Sequence, residues 1–178
     1  MLLPIWADRS DLFASLAELP EAGRRLLNTY ASLAAELGQD TSVDRFYWLG
    51  SGSRYGLACE LSLKVKEMSL SQSEPFHFME FRHGPKSMVA PSALVVGLHS
   101  ATQHEPEASV LADVRSLGGR VLSMGWDGDQ VAFGDHLEEA ACNVLHLPVG
   151  QLIAWERATS RGLDPDRPTN LEAVVKLG

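Results

Sequence analysis

Glu60, Lys64 and Glu67 in the stretch "ELSLKVKE" are the residues of this chain whose types and spacing point most directly to acid–base chemistry. On a helix they fall at i, i+4 and i+7, which is one stripe. Leu57, Leu61, Val65 and Met68, at i, i+4, i+8 and i+11, form a second and wholly apolar stripe. A carboxylate held beside an ammonium in a partly dry cleft can act as a general base, because burial raises its pKa while the ammonium lowers it. The plainer alternative is a solvated ladder, in which the Glu60 to Lys64 order contributes only ~0.2–0.5 kcal/mol. Crowding by Leu61, Leu63, Val65, Met68 and Leu70 argues for the cleft; spacing alone leaves both readings open.

Two further stretches carry candidate chemistry. "GSGSRYG" follows an apolar run and precedes this helix, so Ser51, Gly52 and Ser53 offer hydroxyls and backbone N–H groups suited to an anion. A nicotinamide fingerprint is the competing reading, but Gly50, Gly52 and Gly56 are spaced G-x-G-x-x-x-G rather than G-x-G-x-x-G. A tight turn without a ligand is the other. In "FRHGPKS", Gly84 before Pro85 is biased away from the helical region and Pro85 suits a first helical position. His83 then lies just before a helix start, where a cationic imidazole is disfavoured and a neutral, proton-exchanging ring or a simple turn cap is expected. His77, His99, His104, His136 and His146 show no ligand spacing, and "WDGD", Trp126 to Asp129, reads as a polar turn. No metal and no cofactor is expected.

The elements that must position these residues follow from periodicity. Helices are predicted from Asp8 to Leu19, ended by Pro20, and from Pro20 to Gly38. A buried strand, "RFYWLG", leads through the Gly-Ser turn into a helix over roughly 56–70. "ALVVGLH" and "RVLSMG" are strands flanking the helix "EPEASVLADVRSLGG", "NVLHLP" is read as a fourth strand, and "GQLIAWERATSRG" as the last helix. Short apolar strands alternating with helices predict an α/β fold, a three-layer α/β/α sandwich with a parallel sheet covered on both faces. We divide the chain into N-terminal helices (1–44), a core (45–163) and a proline-containing tail (164–178).

A length of 178 residues suffices for one domain with a real core. The net charge of −8 argues against broad electrostatic binding to nucleic acid or anionic membrane. Two cysteines make no disulfide framework, and no leader or membrane-spanning run is apparent, so a cytoplasmic setting is expected.

In order along the chain, "LGSGSRYGLACELSLKVKE", "EFRHGP" and "DPDRPTNL" resemble the SIS (sugar isomerase) family, above all the second SIS domain in the isomerase half of the glucosamine-6-phosphate synthases. The resemblance covers about Phe46 to Leu171. It implies a five-stranded parallel sheet, a phosphosugar ligand and a homodimer or partner SIS domain, with no nucleic acid or membrane partner. In the pattern E-x-x-L-K-x-K-E it assigns C1–C2 proton transfer to Glu67, assistance at the sugar to Lys64 and a supporting role to Glu60. Sugar-ring opening by a histidine lent across a subunit interface falls to His83. The implied activity is that of an aldose–ketose isomerase or an amino-sugar-phosphate deaminase-type enzyme; the alternative is a non-catalytic phosphosugar-sensing or dimerisation module. Two departures stand out. Synthases end in N-L-A-K-S-V, whose lysine forms an imine, whereas "NLEAVVKLG" has Ala173 there and Lys176 three residues on. The stretch "SATQHEPEA" lacks a serine/threonine-rich phosphate loop, and a chain starting Met-Leu-Leu has no glutaminase nucleophile.

Overall fold

A computed structural model describes residues 10–134 and 137–171. Helix α1 (Ser10–Gln39) leads into β1 (Arg45–Gly50), α2 (Ser53–Ser69), β2 (Gln72–Phe76) and the short α3 (Phe78–Arg82). After a 3₁₀ turn at Pro85–Met88 come β3 (Ala93–Leu98), α4 (His104–Ser116), β4 (Arg120–Gly125) and β5 (Val131–Ala132). The short α5 (Glu139–Cys142), a 3₁₀ turn and α6 (His146–Ser160) complete the described elements. All strand pairings are parallel, in the order β2-β1-β3-β4-β5. The three-layer α/β/α expectation holds.

Alternation along β1 builds the two halves of the core. Phe46 and Trp48 face one side with Leu61, Val65, Leu94, Val96 and Ile153, under α1, α2 and α6. Tyr47 and Leu49 face the other with Phe78, Phe81, Val95, Val110, Leu111 and Val114, under α3 and α4. β3 is buried along its whole length, as a central parallel strand must be.

Three expectations are corrected. Pro20 does not end a helix: α1 runs through it, because Ser15, Ala22, Leu26 and Ala34 are buried on both sides of the proline. That packing outweighs the roughly 3 kcal/mol an interior proline costs. "NVLHLP" is not a strand. Asn143–Leu145 is a 3₁₀ turn running into α6, with Pro148 in its first turn, and the sheet edge is filled by β5, which pairs Val131 and Ala132 with Met124 and Gly125. A short apolar run does not distinguish strand from buried helix. β2, absent from the sequence reading, is the polar "QSEPF"; it lies at the edge beside β1, where its proline is tolerated. The start at Asp8, His136, and the tail residues Ala173 and Lys176 lie outside the described residues.

Candidate functional site

The polar stripe of α2 exists as a cluster. Lys64 Nζ lies 2.8 Å from Glu67 Oε2 and 3.5 Å from Glu60 Oε1. The hydrogen bond to Glu67 holds the Lys64 ammonium above its usual pKa against partial burial, with Glu60 adding to the effect. The lysine therefore stays charged at neutral pH. Lys64 and Glu67 side chains are 30% and 29% exposed, so the cluster is neither buried nor fully solvated. Of the three, Lys64 lines a groove of about 510 Å³ between three helices, with Leu27 from α1, Met68 from α2, and Pro148, Leu152 and Trp155 from α6; Glu60 and Glu67 are not among the lining residues. Of the five apolar residues expected to crowd the stripe, Leu61 and Val65 are buried and Met68 is partly so, whereas Leu63 and Leu70 are 44% and 49% exposed.

His83 lies elsewhere. It follows α3, which packs on the opposite face of the sheet from α2, and its N–H donates to the Glu80 carbonyl at 3.0 Å. It lines a cleft of about 400 Å³ with Arg82, Lys86, Val89 and Leu117. Within one chain the sheet separates His83 from Glu67.

Ser51, Gly52 and Ser53 occupy the place the fold favours for ligands. With order β2-β1-β3-β4-β5, successive strands are added on opposite sides of the β1/β3 boundary, and the loops after these two strands flank the crevice. From Ser53 to Glu67 is about four helical turns, roughly 20 Å at 1.5 Å per residue. The Gly-Ser loop and the Glu67 end of the stripe are therefore too far apart to grip the same small sugar.

The mouth of the sheet is furnished by the chain's own groups. Arg54, from the first turn of α2, donates from Nη1 to Glu139 Oε1 at 2.8 Å and to Asn143 Oδ1 at 3.3 Å. The same Glu139 oxygen accepts the Ala101 N–H at 3.2 Å, and Asn143 Nδ2 donates to Ser53 Oγ at 3.2 Å. Glu139 thus occupies the donors an incoming anion would use. Deeper in, Glu107 Oε2 accepts the Ser100 N–H at 2.8 Å and shapes the loop after β3.

The same mouth holds three residues that the sequence reading left scattered. His99 follows β3, His104 opens α4, and Asp129 lies between β4 and β5. His99 Nδ1 is 2.7 Å and His104 Nε2 3.3 Å from Asp129 Oδ1. The reading of "WDGD" as a polar turn holds, and the side chain of its Asp129 is 2% exposed. Burial raises its carboxyl, but the His99 hydrogen bond and charge, the Trp126 N–H and His104 together outweigh burial and hold it below its usual value. The available signal was topological, since adjacent parallel strands bring their carboxyl-end loops together.

No family model matches the chain. The glutamine–fructose-6-phosphate aminotransferase [isomerizing] of Caldanaerobacter subterraneus subsp. tengcongensis is 30% identical over 179 residues, which span 94% of this chain and 29% of that protein. The crystal structure of glucosamine-6-phosphate deaminase from Thermotoga maritima superposes with a TM-score of 0.72 at 29% identity, covering 84% of this chain and 46% of that one. The chain has the SIS fold. The SIS fold is shared with the tagatose-6-phosphate ketose/aldose isomerase of Escherichia coli, at a TM-score of 0.72, 23% identity and coverage of 89% of this chain and 46% of that one. The chain spans about three-tenths of the length of the curated relatives it matches. Among the described residues no helix is long and apolar enough to cross a membrane.

Proposed function

We propose that this SIS domain handles a phosphosugar in an aldose–ketose isomerase or amino-sugar-phosphate deaminase-type reaction, with Glu67 as the base. The observation that carries the reading is the Glu60–Lys64–Glu67 cluster on α2, where one ammonium, itself lining a groove, lies against two carboxylates. Aldose–ketose interconversion takes a proton from the carbon next to a carbonyl and returns it to the neighbour, so one carboxylate serves both steps. Lys64, held as an ammonium, stabilises the oxyanion that develops. Ring opening is assigned to His83, which must come from a second copy or partner SIS domain because its own chain holds it on the far face of the sheet. The similarity to aminotransferases, a deaminase and isomerases named for sugar phosphates supports the substrate class.

The experiment is hydrogen exchange at C1 and C2 of fructose 6-phosphate or glucosamine 6-phosphate in deuterated water. Wild type should exchange; Glu67→Gln should bind ligand yet lose the exchange by about 100-fold or more. Equal exchange in the two proteins removes Glu67 from the mechanism.

A second reading is a non-catalytic module that senses a phosphosugar or dimerises. It is favoured by Glu139, which satisfies Arg54 and the Ala101 N–H at the mouth of the sheet. Ligand binding by wild type without any C1–C2 exchange would select this reading.

A further inference from the structure

We propose that His99 Nδ1, His104 Nε2 and Asp129 Oδ1 form a binding site for a divalent transition-metal ion of the zinc class at the carboxyl end of the sheet. The three ligand atoms come from three separate segments and lie within 4.8 Å of one another. A tetrahedral ion with bonds of ~2.0–2.1 Å places its ligand atoms roughly 3.3 Å apart. The His104–Asp129 separation of 3.3 Å already has that value, and the 2.7 Å His99–Asp129 separation reaches it by a small rotation of either ring or carboxylate. Two imidazoles and one carboxylate match zinc, cobalt and nickel better than magnesium or calcium, which take all-oxygen sets.

The surroundings hold the donors in place. His99 is 2% exposed, and its Nε2 is buried with no hydrogen-bond partner. Its plane is set between Phe78 at 5.6 Å and His104 at 4.6 Å. Asp129 Oδ2 accepts the Trp126 N–H at 2.9 Å, which leaves Oδ1 aimed at both rings, the support a ligating carboxylate needs. Gly125, with φ of +156°, permits this packing: a Cβ there would lie 2.9 Å from Asp129 Oδ2. Three protein ligands leave a coordination position open. His104 borders a cavity of about 390 Å³ shared with Ala101, Trp126, Asp127 and Glu139, which gives that position access to water or a small oxygen ligand.

The site is independent of the α2 stripe and of the phosphosugar reading. The test is titration of the chelator-treated full chain with Co²⁺, followed by visible ligand-field absorption, with Zn²⁺ as displacing ion. Saturable bands that Zn²⁺ removes are expected, along with a Zn²⁺-dependent rise in the unfolding midpoint. His104→Ala, a partly exposed change at the start of α4, should weaken binding by roughly tenfold or more and abolish the rise in midpoint. Asp129→Asn should do the same where it folds. Absence of cobalt bands in wild type, or His104→Ala binding as tightly as wild type, overturns the proposal.

Discussion

Burial governs the titration of His146. Its ring is 2% exposed, packs edge-on against Phe133 at 4.7 Å and places Nδ1 3.0 Å from the Asn143 carbonyl. Burial, with help from the Arg54 and His99 charges, pushes its pKa from 6.5 down to about 4. Between those values the unfolded chain takes up a proton that the native state refuses, so stability falls as pH drops. Urea unfolding should show a loss on the order of 3 kcal/mol between neutral pH and pH 4. His146→Gln should flatten that part of the profile; an unchanged slope would mean other groups carry it. The depressed carboxyl of Asp40, at about 2, acts below this window and loses its contribution only as pH falls from 3.8. At this scale the sequence was legible where chemistry lay along one helix. Glu60, Lys64 and Glu67 meet because helical geometry alone brings them together. His99, His104 and Asp129 meet only through the pairing of β3 with β4, which no local period encodes.

Elements were legible where a full apolar period was present and illegible where packing overrode a local signal. β1, β3 and β4 announce themselves as continuous apolar runs; β2 carries glutamate, serine and proline and is a strand only because β1 offers it an unpaired edge. Pro20 is the converse, a strong local breaker overruled by the face that α1 buries. It is exposed, so Pro20→Ala should restore a helical N–H without disturbing the core and raise stability by ~1–3 kcal/mol. A denaturation midpoint at or below wild type would show the proline to be needed. Gly150 fixes the approach of α6 to α2 and the sheet: a Cβ there would lie 2.6 Å from Leu61 Cδ2 and 3.2 Å from the Trp48 ring. Gly150→Ala should therefore destabilise by ~1–3 kcal/mol despite alanine's better helix propensity, as overpacking does. Unchanged stability in the same assay would mean that α2 and α6 are free to separate.

For the whole molecule, the layered architecture decides how the proposed chemistry can be assembled. The sheet keeps the α2 stripe and His83 on opposite faces, and four turns of α2 separate Glu67 from the Gly-Ser loop. One copy of this chain therefore cannot bring the proposed base and ring-opening group to one sugar. The SIS resemblance implies a histidine lent across a subunit interface, which composition and spacing did not reveal. The account requires the site to be shared between copies, as in a symmetric dimer where each site takes Glu67 from one protomer and His83 from the other. The most direct test is to mix Glu67→Gln with His83→Ala after co-refolding and to measure isomerisation or deamination of fructose 6-phosphate and glucosamine 6-phosphate. Each variant alone should be inactive. The equimolar mixture should recover about one quarter of wild-type turnover, because half of randomly paired dimers are mixed and each mixed dimer holds one intact site of two. A mixture as inactive as its components, beside an active wild type, would contradict the shared site; a wild type without turnover would contradict the enzymatic account itself.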